Sequence, residues 1–341
     1  MAPVPHLVGG IDPGCGGVGR PSAPSPRTAG RQAAPVASTS VRAKGTATPP
    51  IPVFLSSWFF EPVAAVVALV LAVLYAWGLI RLRRRGEPWP VSAALMFYGL
   101  GIGSFLVVNF GFLGVYSQDL RWAFSTRTAL LLFAIPALLS LGRPVRMARL
   151  VLGEKGVARL DRGLASRPMK LLGNAVVAPL ITVLIFSIFL TPLSGALRTS
   201  VYGQAAVTIL IPTLGLLLVL PLIEYSALRT AFFVTVEFLL AFVELVIDAI
   251  PGILLRLSGT VLDGLGAVAG PHPEWWPSPL RDQQLSGDLL WFIAELADVP
   301  VLIILFIRWS RVDKREAKSF DDLTDEEMDA LTQEHLRQRR E

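Results

Sequence analysis

The sequence predicts an all-α membrane protein: a seven-transmembrane-helix bundle with its N-terminus outside and its C-terminus cytoplasmic. Composition is the first reason. The 341 residues are 53% hydrophobic and 17% charged, whereas a soluble domain carries roughly 25% charged residues. Charge is sparse over much of 62–310, which excludes an ordinary water-soluble enzyme. The second reason is length: seven apolar stretches approach the ~20 residues that cross about 30 Å of hydrocarbon as helix. None of them alternates as a strand would, and a helix satisfies its own backbone hydrogen bonds in lipid. The third is the placement of Lys and Arg, which fixes direction.

The stretches are 62–80, 91–113, 123–141, 171–192, 205–224, 231–255 and 286–307. After the first come Arg81, Arg83, Arg84 and Arg85. After the third, residues 142–170 hold eight basic and two acidic residues, Glu154 and Asp161. After the seventh come Arg308, Arg311, Lys314, Arg315 and Lys318. With alternating spans these clusters share one side, which the positive-inside rule makes cytoplasmic. The opposite loops 114–122, 193–204 and 256–285 carry four basic residues together.

Both ends read as tails. Residues 1–54 are rich in Pro, Gly and Ala, lack the continuous apolar core of a signal peptide and are expected to be disordered. Residues 1–50 carry five basic residues against one acid, yet this topology sends them outside; the arginines after the first span should dominate. The bundle proper covers 55–310, and 311–341 is a charged cytoplasmic tail. In that tail Thr324 and Glu327 form a capping-box pattern, with Met328, Leu331 and Leu336 along one side of a short helix. It reads as a solvated helix or as a docking helix for a partner.

Acidic residues inside the spans are the candidate chemistry, because a charge at mid-bilayer costs roughly 2.5–3.5 kcal/mol on insertion scales. The sixth span carries Glu237, Glu244 and Asp248, at spacings of seven and four. The seventh carries Asp288, Glu295 and Asp298, at spacings of seven and three. Each set falls on one helical face, so two acidic stripes on antiparallel helices are expected to face each other or a wet cavity. Arg127, about one turn into the third span, is the available counter-ion. One reading is a proton or cation site; the other is a set of protonated or paired carboxyls that hold helices together. Prolines at 136, 179, 212, 221, 251 and 300 and small residues such as Gly99, Gly101 and Gly103 read as packing features.

Other chemistries find little support. The single cysteine, Cys15, excludes an intramolecular disulfide and any CxxC metal or redox pair. The three histidines, His6, His272 and His335, lie outside the apolar stretches. His272 stands between two prolines in an outer loop with Trp275 and Trp276, residues suited to the membrane interface. No nucleotide loop, catalytic triad or zinc pattern stands out, and the basic residues read as membrane orientation rather than nucleic-acid binding.

The stretch SPLRDQQLSGDLLW, followed by the seventh span and RWSRVDKREAK, resembles the C-terminal end of CtaG-type cytochrome c oxidase assembly factors. It is most similar to their actinobacterial branch, in which an intramembrane Glu follows the Trp, here Glu295 after Trp291. The signature residues are Asp282, Gln283, Gln284, Gly287 and Trp291. WFFEP at 58–62, LYAWGLIRLRRRGEPWP at 74–90 and SLGRP at 140–144 extend the likeness to roughly 55–318. The resemblance implies the seven-span layout and a part in copper delivery to the oxidase. It also implies His-x-x-x-His pairs in the third and fifth spans. Alignment on Gly142 puts the first pair at Phe124 and Thr128; alignment on Gly215 and Pro221 puts the second at Gln204 and Thr208.

That implied site departs from the family, since no histidine exists in 7–271. Cuprous ion prefers thiolate, thioether or imidazole, and the seven stretches hold no Cys, no His and one Met, Met96. No cofactor is therefore expected, copper being disfavoured. The expected role is a non-enzymatic assembly or accessory factor for a respiratory haem-copper oxidase in a bacterial plasma membrane. Its expected partners are the lipid bilayer and oxidase subunits or other assembly factors. The alternative is a proton-coupled transporter or ion-conducting protein using the acidic stripes. A weaker third reading is an outer copper handler built from His6, Cys15 and His272.

Overall fold

A computed structural model of the chain describes residues 49–174, 177–224, 231–266 and 271–321. The expectations for the N-terminal tail up to 48 and for the helix after 321 lie outside the described residues, as does the side chain of Glu237. All regular structure among the described residues is helical. A short helix α1, Ile51–Ser56, lays Phe54 on Phe112 at 5.0 Å. Helix α2, Pro62–Arg84, starts on Glu61, whose carboxylate accepts the Val63 and Ala64 N–H groups, with proline at the first helical position. It ends in Arg81, Arg83 and Arg84, cations that suit the negative end of a helix.

Helix α3, Val91–Tyr116, is interrupted twice. A π-helical turn over Met96–Ile102 brings Phe97 flat against Tyr75 at 3.9 Å, and Gly111 is extended where the last turn separates. Helix α4, Arg121–Leu141, is the axis of the bundle: 67% of its apolar window is enclosed, against 22–33% for α2, α3 and α10 (Val201–Glu224, below). It breaks at Phe133 because Pro136 has no N–H for the Leu132 carbonyl. Gly215 of the fifth stretch lies against that carbonyl, where a β-carbon would collide with it.

The basic segment 142–170, expected as a loop, folds into short helices. These are α5, Pro144–Val151, and α6, Glu154–Leu164; α7, Arg167–Leu172, follows. SLGRP makes the corner into α5. Gly142 sits where a β-carbon would stand 2.6 Å from that of Phe97, and its carbonyl accepts the Tyr75 hydroxyl at 2.8 Å. Arg143 then takes a left-handed conformation (φ 55, ψ 47), which costs an L-residue roughly 1–2 kcal/mol.

The fourth stretch is shorter and more bent than expected. It is helix α8, Val177–Leu190, joined at 83° to α9, Pro192–Thr199. Thr191 is extended before Pro192, so the first helix ends and a new one begins. Helix α10, Val201–Glu224, covers the fifth stretch, and α11, Ala231–Leu257, the sixth. Helix α12, Pro279–Asp321, runs 43 residues, about 65 Å, and contains the seventh. Of the seven apolar stretches, four are long and apolar enough to cross a membrane, or five if the bent α8–α9 pair is one span, among the described residues.

The main core joins Phe105, Phe124, Leu131, Ile135, Phe186 and Leu290, so α3, α4, α8 and α12 meet in one apolar interior. A second cluster at the α3–α4 turn collects Phe112, Leu120, Trp122 and Trp275. Helices α11 and α12 touch at Gly252 and Gly287: a β-carbon at 252 would stand 2.8 Å from the Gly287 carbonyl oxygen and 2.9 Å from the Trp291 β-carbon. Side chains at either place would force the two acid-bearing helices apart.

Candidate functional site

The polar interior has three parts. The first is the pair of acidic stripes, which the α11–α12 packing brings together only in part. Asp248 is 2% exposed and its Oδ1 has no hydrogen-bond partner; the same holds for Asp298 Oδ2. Asp298 lies within electrostatic range of both Glu244 and Asp248. Glu295 turns to its own helix and accepts the Trp291 indole N–H at 2.5 Å. Asp288 is pulled aside by Arg256 at 3.4 Å, both side chains about two-fifths exposed. The described stripes thus reduce to Glu244, Asp248 and Asp298, with Asp288 and Glu295 engaged elsewhere.

The second part is a buried ionic clasp at the start of α4. Arg121 grips Asp263 through Nε at 2.7 Å and through Nη2, and Arg198 of α9 reaches the same carboxylate at 3.1 Å. Asp282 caps α4, its two oxygens accepting the Arg121 and Trp122 backbone N–H groups at 2.8 and 2.9 Å. Burial pushes the Asp282 carboxyl above its ordinary range. Those N–H groups and the Arg121 and Arg198 guanidiniums oppose the shift. Gln283 accepts from Arg121 at 3.2 Å and from the Leu262 N–H at 2.8 Å, and donates to the Thr260 carbonyl at 2.9 Å. Arg121, Arg198, Asp263, Asp282 and Gln283 are all buried. Removing one member of such a set strands the others, at about 3–5 kcal/mol.

This clasp gives the signature of the seventh span its physical content. Asp282 caps a neighbouring helix, Gln283 ties the 260–262 turn to Arg121, and Gly287 admits α11. Gln284 accepts long contacts of 3.5 Å from Arg256 and Arg281, and Trp291 covers Gly252. These residues orient helices.

The third part surrounds Arg127, 2% exposed. Its guanidinium donates to Asn109 Oδ1 from Nε at 3.1 Å and Nη2 at 2.8 Å, and to Thr208 Oγ1 at 2.6 Å. It also donates to Ser117 Oγ at 3.3 Å and to Gln204 Oε1. The acceptors are fixed in turn: Ser117 donates to Gln204 at 3.1 Å, and Gln204 donates to the Arg198 carbonyl at 2.7 Å. Each of these partners is a neutral oxygen. Among the described residues Arg127 makes no hydrogen bond or ion pair with an α11–α12 carboxylate, a correction to its expected role as counter-ion to Glu244, Asp248, Asp288, Glu295 and Asp298.

Gln204 and Thr208, the positions implied for the second histidine pair, both point at Arg127. Of the first pair's positions, Thr128 donates to the Phe124 carbonyl at 2.8 Å and Phe124 packs on Phe189. A copper ion does not fit here. The donors are amide and hydroxyl oxygens, hard ligands for a soft ion, and a permanent cation stands among them. Among the described residues no three His, Cys, Asp or Glu side chains are grouped to hold a metal. Of the outer-loop candidates, His272 stacks on Trp276 at 4.8 Å, while His6 and Cys15 lie outside the described residues.

Sequence reasoning missed the clasp, treating Arg121, Arg198 and Asp263 as loop residues. Part of the signal was present: arginines on the side where the positive-inside rule disfavours them; which acid pairs them was not.

Residues 73–312 match the family described as cytochrome c oxidase caa3 assembly factor (Caa3_CtaG). Uncharacterised proteins of Mycobacterium bovis and Mycobacterium tuberculosis are each 28% identical over 296 residues, 83% of this chain and 44% of theirs. An uncharacterised protein of Mycobacterium leprae is 25% identical over 277 residues, 77% of this chain and 41% of its own. The chain thus spans less than half the length of these curated relatives. No solved structure matches it. The matched family gives no support to transport, and its span takes in both the Arg127 cage and the signature of α12. The chain belongs to the cytochrome c oxidase caa3 assembly factor family.

Proposed function

We propose that this protein assists assembly of a haem-copper cytochrome c oxidase by helix–helix contact within the bacterial plasma membrane, without carrying copper in its bundle and without catalysing a reaction. The observation that carries the second half of this reading is the Arg127 guanidinium. Asn109, Ser117, Gln204 and Thr208 saturate it at the level where the family resemblance implies paired imidazoles. Family membership supports the first half. Oxidase subunits or other assembly factors are its partners, met through lipid-facing apolar surface such as Leu69, Val73, Leu180 and Leu184.

In this reading α11 and α12 complete seven spans, with the N-terminus outside and the C-terminus in the cytoplasm. Their lengths of 27 and 43 residues support it, and so does the gathering of Arg81–Arg85 and the 142–170 helices on one side. The test is a strain lacking the gene. Assembled oxidase, read from reduced-minus-oxidised a-type haem spectra, falls, and the full chain purified from native membranes brings oxidase subunits without stoichiometric copper. Normal oxidase content in that strain overturns the assembly role. One copper per chain, lost in Gln204→Ala, overturns the copper-free bundle.

A further inference from the structure

At the basic end of the bundle a cavity of about 350 Å³ opens between the end of α4, the N-terminal turn of α5 and the end of α10. Its wall is chemically divided. Arg143, Arg146 and Arg149 are its basic lining residues, and Val145 and Leu220 its apolar ones. Arg149 is engaged by Asp161 of α6 at 3.1 Å. Among the described residues neither Arg143 nor Arg146 pairs with a carboxylate, and both are exposed.

The surroundings are built. Helix α5 is held down by Met147 and Val151, both buried, and Met147 lies over Gly78 of α2. Arg85 donates to the Leu150 carbonyl at 2.5 Å, tying the end of α2 to α5. Arg143 is the residue forced into the left-handed region, and it is the one positive-φ residue other than glycine among those described. At a helix-to-helix corner glycine is the usual occupant of that conformation. An arginine held there sets a guanidinium at the cavity, and an observed outlier of this kind points to function.

We propose that this cavity binds the phosphate headgroup of an anionic glycerophospholipid. Arg143 and Arg146 clamp the phosphate oxygens, and an acyl chain lies along Val145 and Leu220. Guanidiniums match phosphate through paired N–H donors, and basic pockets between helix ends at the cytoplasmic face are where anionic headgroups settle. The split lining selects a lipid over a free anion, because a free phosphate leaves the apolar wall unused. The proposed orientation enters only in naming the leaflet, the inner one; the oxidase role does not enter.

The test uses the full chain in phosphatidylcholine nanodiscs, with phosphatidylglycerol titrated in and bound lipid counted by native mass spectrometry. Wild type retains phosphatidylglycerol over phosphatidylcholine. Arg143→Gly combined with Arg146→Gln weakens retention roughly 30-fold, from about one step of surface attraction per arginine. Glycine at 143 suits the backbone there, so the variant keeps its thermal transition in phosphatidylcholine; Arg146→Gln alone gives a smaller loss and guards against misfolding of the pair. Arg83→Gln with Arg84→Gln removes equal charge and leaves retention unchanged. Equal loss in the two double variants, equal retention of the two lipids, or displacement by inorganic phosphate at matched concentration would each overturn the proposal.

Discussion

A guanidinium carries five N–H donors in a fixed plane, and at Arg127 they reach Asn109 of α3, Ser117 just beyond it, and Gln204 and Thr208 of α10 at once. Lysine keeps the charge but offers three donors from a single point, so at least two of the five hydrogen bonds are lost. Arg127→Lys is therefore expected to destabilise the protein by roughly 2–4 kcal/mol, read as a lowered unfolding transition in detergent; an unchanged transition would show that the charge alone matters. The sequence displayed Arg127 as a lone cation in a span and suggested the wrong partners. Nearest in character were the acids of the sixth and seventh spans, but nearest in space were uncharged oxygens on α3 and α10. Pattern along a chain reports which face a residue shares with its own helix. It does not report which neighbouring helix that face meets.

At the scale of elements, each apolar stretch falls on helix, the first, second, third, fifth and sixth within a few residues of a long helix's bounds and the seventh inside the much longer α12. What escaped was decided by packing. The π-helical turn of α3 serves the stacking of Phe97 on Tyr75, and the break at Phe133 of α4 is accommodated by Gly215 on α10. The fourth stretch, read as a span over 171–192, is helical over Val177–Leu190 and bends at Thr191–Pro192 into α9, so it counts as a span only if the bent pair is one. The contact of α11 with α12 gives the sharpest test at this scale. Gly252→Val sets a branched side chain against the Gly287 carbonyl and Trp291, an overpacking expected to cost about 3 kcal/mol. Cysteines placed across the two helices should then cross-link more slowly than in the parent. Unchanged cross-linking and stability would mean the close approach is not required.

Across the whole molecule charge is sorted by depth and by end. The arginines that end α2 lie beside the basic 142–170 helices, Arg85 donating to the Leu150 carbonyl, whereas Arg121 and Arg198 are drawn inward onto Asp263. That second half was not legible, since Asp263 is separated from Arg121 by more than a hundred residues and only the fold joins them. The mycobacterial relatives this chain matches are covered over 44% of their length.

The Arg127 cage has a consequence for the cell. On the proposed copper-free reading, a charge built into the polymer cannot be starved, stripped or handed on, so this part of the bundle would not depend on the supply of transition metals. Dialysis against a strong cuprous chelator should leave the unfolding temperature of the purified protein where it was, and cultures grown under scarcity should contain as much of it as replete ones. A drop in either would mean that something other than an arginine holds those helices together.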